Sequence, residues 1–318
     1  MAGDLIKHRI FLETTRDFGK RLPPTALGEI LRVVEPTIEK AARMAFEGRG
    51  AGLGRKPKWL ANVSDIRLRA VTIESSETVL DFDAPSLGYA APELYKQTEL
   101  WPSMPEPSLS AFDLVAGVVS KVSRQDRDSD WYDQTILDSI FQFSRGLNGT
   151  FSRMAISRSG DRRSSAKTID KEVIARAKKL LDETPLPRPT RIVGTLDMVR
   201  ASTQSFGLLL DNGEEVRGVM IDKNVVRLGS MLERKVLVHG RAVYRPSGKL
   251  LRIDAEKVED GSGASQLWTR IPEPLERPVA SSQARARGPK AGGLASFFGG
   301  WPGDESDEEL LGALRELG

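Results

Sequence analysis

Between residues 191 and 259 apolar side chains recur in five short runs separated by turn residues, and few folds accept that pattern. The runs are RIVGTLDMVR, SFGLLLD, EEVRGVMI, RKVLVHGRAVYR and KLLRIDAEKVE. Asn212-Gly213 joins the second to the third with a strong hairpin signal, and Ser247-Gly248 turns the fourth into the fifth. A helix-like piece, DKNVVRLGSMLE, separates the third run from the fourth. Five strands with a helix in that place match the order of an OB-type barrel. Another small barrel, or a sheet packed on the preceding helix, satisfies the same pattern. The sequence therefore predicts an all-β OB-like five-stranded barrel over 188–260. The break PLPRP before it and a Pro-rich stretch after it suggest that it folds on its own.

The residues before the barrel mix both periodicities. LIKHRIFLE, 5–13, reads as a strand, and Leu27, Ile30, Leu31, Val34, Ile38, Ala41, Ala42 and Ala45 mark a helix over 26–47. Pro36 falls inside that helix and predicts a kink or a division. DIRLRAVTIESSETVLDFDA reads as a hairpin. A helix capped by Ser110 should bury Leu114, Val115, Val118, Val119 and Val122. Another, starting near Ser129 or Asp130, should bury Ile136, Leu137, Ile140 and Phe141. TFSRMAIS can add a strand, and a helix follows near 170–183 after the basic loop SRSGDRRSSAK. This succession predicts an α+β domain over 1–187 with a peripheral last helix. Residues 261–296 read as a flexible linker in which Trp268 and Ile271 can strap onto a folded part, and 297–318 as a separate tail.

Composition narrows the chemistry. There is no cysteine, which excludes disulfides and thiolate metal sites, and only His8 and His239 are available for imidazole chemistry. The first residues carry early charges and no unbroken apolar core, and no run approaches the ~18 residues of a membrane span. The expectation is a cytoplasmic protein with no membrane partner, no metal and no cofactor.

Three segments invite stronger readings. EGRGAGLGRKPKW, 47–59, lacks the spacing of a phosphate loop and follows a helix rather than a strand. It reads as a mobile helix-ending loop, or as a basic contact loop through Arg49, Arg55, Lys56, Lys58 and Trp59. DRDSDWYD, 126–133, begins with the alternate acids of a calcium loop, but Trp131 stands where that loop needs glycine and Leu137 where it needs glutamate. Capping of a helix N-terminus explains the acids better. Asp222 with Glu233 and Lys235 faintly resembles the acid and E-x-K pattern of metal-dependent nucleases, the most remote reading. From 188 to 257 the chain carries 13 cations against 8 acids. Arg217, Arg241, Arg245 and Arg252 are thus candidates for a sequence-tolerant nucleic-acid face, although only Phe206 and Tyr244 could stack on bases.

The tail, FFGGWPGDESDEELLGALRELG, is the most distinctive segment. Ser306 to Glu309 form a capping box, and Leu310, Leu311, Leu314 and Leu317 share one helical face. Six acids against Arg315 make residues 301–318 strongly negative. A helix this short is marginal alone in water. Burying its seven large side chains yields about 10–20 kcal/mol gross. Ordering about twenty residues costs a similar sum. A shaped groove with basic and apolar character is needed to tip the balance, in a partner or in the same chain.

These residues resemble the short acidic C-terminal tails of some bacterial antitoxins, whose partners are often small PIN-type ribonucleases. The resemblance covers about 20 of 318 residues. It implies that Phe297, Phe298, Trp301, Leu310, Leu311 and Leu314 bind the partner, and the negative charge gives Asp307 and Glu308 a part in attracting it. The expected function is that of a non-enzymatic antitoxin-like inhibitor or scaffold. Nucleic-acid binding through the barrel is the alternative.

Overall fold

A computed structural model describes residues 5–274, apart from 53, 75, 97–103, 148, 222–223 and 264–267. The chain divides into two compact units, Met1–Leu275 and Glu276–Gly318. The whole predicted tail lies outside the described residues.

The first half of the larger unit is a region of helices and sheet. Its strands are β1 (Leu5–Thr14), β2 (Arg67–Ile73), β3 (Glu77–Pro85), β4 (Phe151–Arg158) and β5 (Lys167–Asp170). They lie in the order β2-β3-β1-β4-β5, with every neighbouring pair antiparallel. Ile10 of β1 sits opposite Leu80 on one side and Ile156 on the other, and all three are buried. Alternation sends Lys7, Arg9, Phe11 and Glu13 to the opposite face, where Arg9 pairs with Asp81 at 3.0 Å and Arg163 lies 5.0 Å over the Phe11 ring. β2 forms one edge. It is exposed along nearly its whole length, with Leu68 and Val71 about 40% accessible and a bulge between Leu68 and Ala70.

Among the described residues, six α-helices complete this region: α1 (Pro24–Glu47), α2 (Lys58–Val63), α3 (Leu87–Ala90), α4 (Ala111–Ser123), α5 (Gln134–Gly146) and α6 (Lys171–Glu183). α4 packs against β3, β4 and β5, while α1 and α6 pack on α5. α1 runs as one helix through Pro36. That proline and Arg32, whose carbonyl it leaves without a helical donor, are both on the exposed side. The helix stops at Gly48, whose φ of 74° is left-handed and whose N–H reaches the Met44 carbonyl at 2.9 Å. α5 begins at Gln134, four to five residues after the expected start near Ser129 or Asp130, because the effective cap is Asp133.

The second half is a closed barrel of β6 (Arg188–Arg200), β7 (Ser205–Leu209), β8 (Glu215–Met220), β9 (Lys235–Tyr244) and β10 (Leu250–Asp260). β8 and β10 pair in parallel, and the other contacts are antiparallel, so the barrel is mixed. A 3-10 segment, Asn224–Met231, connects β8 to β9. Ile192, Leu196, Phe206, Val238 and Ile253 fill the interior. The Phe206 ring occupies the space that a Cβ at Gly218 would need, at 2.1 Å, which explains a glycine in the middle of β8. Val243 and Leu251 on the barrel's outer side belong to the core of the helix-and-sheet region. After the barrel, residues 268–274 lie along it as the sequence suggested: Ile271 packs on its core, and the Tyr244 hydroxyl donates to the Pro272 and Glu273 carbonyls at 3.2 Å.

Candidate functional site

The loop ahead of α5 and the hairpin β9–β10 meet through matched charges. Lys249 lies 3.0 Å from Asp128, and Arg245 donates through Nε to Asp130 at 3.1 Å. Arg127 donates to the Pro246 carbonyl at 3.1 Å and accepts from the Ser247 N–H at 3.2 Å. The acids of DRDSDWYD thus hold the barrel, in addition to capping α5.

Beneath this contact lies a buried network. The Asp133 carboxylate accepts from the backbone N–H groups of Gly50 at 2.9 Å and Thr135 at 3.0 Å, and from Arg252 at 3.1 Å. Arg252 also donates to Asp254 at 2.7 Å and to the Gly48 carbonyl at 3.1 Å. Both charged groups are almost fully enclosed, with side chains 6% and 2% accessible for Arg252 and Asp133. Burial opposes ionisation of Asp133, but the Arg252 charge and the Gly50 N–H hold its pKa below the ordinary value. Arg49 makes a parallel link. It donates to Glu47 at 2.9 Å and, across the joint, to the Met220 carbonyl and Gln204 at 3.3 Å. The glycine-rich segment expected to be mobile or basic on its surface therefore buries its first arginine and spends Gly50 on Asp133. Lys56 pairs with Glu39, and Trp59 is buried on α2.

A cleft of about 680 Å³ opens beside the network. Met44 and Gly48 from the end of α1 line one side, and Arg217, Arg245 and Leu251 from the barrel line another. Ile271, Pro272 and Pro274 form a third wall. The Arg217 guanidinium lies over Gly48, where any Cβ would stand 2.2 Å from its central carbon. Burial, followed by the like charge of Arg252, pushes the Arg217 pKa down to about 10.

The four arginines expected on a nucleic-acid face are consequently divided. Arg217 and Arg245 line the cleft, and Arg252 is sealed in the joint, 5% accessible, where it cannot meet a phosphate without breaking its pairs. Arg241 is exposed on β9, 3.6 Å from Glu256, and does not line the cleft. Phe206 and Tyr244 are both buried, which removes the two aromatics considered for stacking. Phe297, Phe298, Trp301, Asp307, Glu308, Leu310, Leu311 and Leu314 fall outside the described residues.

Two further groupings have a catalytic look. The Ser110 hydroxyl is 2.7 Å from His8 Nε2, and Asp113 accepts from the Ser110 N–H at 2.7 Å and from Arg158 at 2.9 Å. His8 and Ser110 are 1% and 0% accessible, and burial pushes the His8 pKa down, so this is a sealed cap of α4 that a substrate does not reach. Of the nuclease-like residues, Lys235 is committed to Asp211 at 3.0 Å, Glu233 sits in a turn at φ 62°, and Asp222 lies outside the described residues. Among the described residues no group of three or more His, Asp or Glu is placed to hold a metal ion, and no helix is long and apolar enough to cross a membrane. No protein-family profile, curated protein or solved structure matches the chain.

Proposed function

We propose that the protein is an antitoxin-like inhibitor or scaffold whose acidic C-terminal segment occupies a basic, apolar groove on a protein partner, such as a PIN-type ribonuclease. The observation that carries this reading is the sequence of that segment: a capping box at Ser306–Glu309, a face of leucines and Trp301 within a strongly acidic stretch. In such an inhibitor the carboxylates of Asp307 and Glu308 stand in for substrate phosphates, and the aromatics supply the anchor.

The body then serves as a platform. In this reading its first half is an α+β domain and its second an OB-type barrel. The closure order β6-β7-β8-β10-β9, the parallel β8–β10 pair and the connection between third and fourth strands support that assignment. Nucleic-acid binding by the barrel is the weaker alternative, because Arg245 and Arg252 are already engaged by Asp130 and Asp133.

The test compares the full chain with one ending at residue 293. A partner that co-purifies only with the full chain should lose about 2–4 kcal/mol of affinity, roughly 30-fold to 1000-fold, when Trp301 is replaced by Ala. Isothermal titration reads the loss. Retention of the partner by the shortened chain refutes the proposal, as does a Trp301→Ala variant whose melting temperature falls with no partner present.

A further inference from the structure

The cleft has the size and lining of a small-molecule site, independently of what the tail does. Its volume of about 680 Å³ is within the range of pockets that enclose compact organic ligands, and such pockets combine apolar walls with a few oriented polar groups. Met44, Val216, Leu251, Ile271, Pro272 and Pro274 supply apolar surface here.

The cations at the mouth differ in one respect. Arg245 is paired with Asp130, and Lys249 with Asp128. Arg217 makes no hydrogen bond or ion pair with any of the described residues, although it is half-buried over Gly48 and lines the cleft. The carboxylates of Asp130 and Glu47 act on it only from beyond ion-pair distance. A shielded guanidinium without a hydrogen-bonded partner is costly, and its planar fork of donors fits two oxygens of one oxyanion. Burial and the like charge of Arg252 outweigh those two acids and leave its pKa depressed.

The charge of the ligand is limited by the rest of the lining. Asp130, Glu214, Glu215 and Glu273 also border the cleft, so it repels a polyanion such as a nucleic-acid strand or a triphosphate. One negative charge on an apolar body suits both features. We infer that the cleft binds a small amphipathic monocarboxylate, with the carboxylate on Arg217 and its apolar body against Ile271, Pro272 and Leu251.

Octanoate is a suitable probe for the full-length protein, with octylamine and inorganic phosphate as comparisons. Octanoate should raise the melting temperature and bind in titration calorimetry, while octylamine and phosphate do neither. Arg217→Gln should weaken octanoate at least 10-fold. It should leave the melting temperature of the unliganded protein unchanged or higher, because an uncompensated charge is removed. An arginine with only a structural role would lower it. In wild-type protein, octanoate should also shift the Arg217 Nε–H resonance, a readout that does not depend on the variant folding. Failure of octanoate to bind at millimolar concentration, equal binding by Arg217→Gln, an unmoved Arg217 resonance, or stronger binding of phosphate overturns the inference.

Discussion

Replacing Arg252 with Met tests whether the buried network couples the barrel to the helices. The substitution keeps an unbranched side chain of similar length and removes the cation 3.1 Å from Asp133. Breaking a buried pair by deleting one partner costs about 3–5 kcal/mol, since the remaining charge is left uncompensated. Asp133 retains N–H donors from Gly50 and Thr135, which places the expectation near the lower end, at about 3 kcal/mol. For a unit of this size that corresponds to a fall of about 6–12 °C in melting temperature. Urea unfolding followed by circular dichroism at neutral pH measures it. The acid dependence supplies a second check. The pKa of Asp133 is depressed in the folded protein, so the stability it contributes is present above the ordinary carboxylate value and disappears as the pH falls through the depressed one. The gap between wild type and variant should be complete at pH 7 and narrow below about pH 4. A gap under about 1 kcal/mol at pH 7, or one that does not change with pH, refutes the assigned role of the pair.

Two smaller perturbations probe other parts of the argument. Gly48→Ala places a Cβ at a left-handed φ of 74° and into the Arg217 guanidinium, and should destabilise by at least about 1–2 kcal/mol in the same urea assay. Ser110→Ala removes the hydroxyl bonded to His8 and Asp113 at the start of α4 and should cost about 0.5–2 kcal/mol, with a neutral result sinking the capping interpretation.

The sequence was most readable where a short period governs burial. The five barrel strands coincide with short apolar runs between turn residues, and the α4 residues expected inside are all buried, since side-chain periodicity and solvent exclusion carry the same information. β5 escaped notice because four residues, one of them buried, give no pattern against a polar background. The start of α5 was displaced because Asp126, Asp128 and Asp130 have the same capping chemistry as Asp133, and only tertiary contacts distinguish them. The joint was invisible for a related reason. An acid destined for a cation more than one hundred residues away looks, in a single sequence, like one destined for water. The excess of arginine in the barrel was legible as charge but not as placement, so residues that bind this chain's own carboxylates resembled a surface for phosphates. The opposition of Gly48 and Arg217 had no local signal beyond a glycine after a helix.

The bare edge at β2 has a consequence for how the protein behaves when concentrated. A strand that is uncovered on both faces offers its outer row of amides and carbonyls to any passing chain, including its own copies. Arg67 and Arg69 stand on that strand in ion pairs, with Asp65 at 2.7 Å and with Asp81 and Asp83 at 3.9 Å, and the bulge after Leu68 disturbs the register that a growing sheet requires. The edge is protected here by charged side chains and geometric mismatch instead of by cover. The exposed ion pairs weaken as ionic strength rises, whereas the bulge does not.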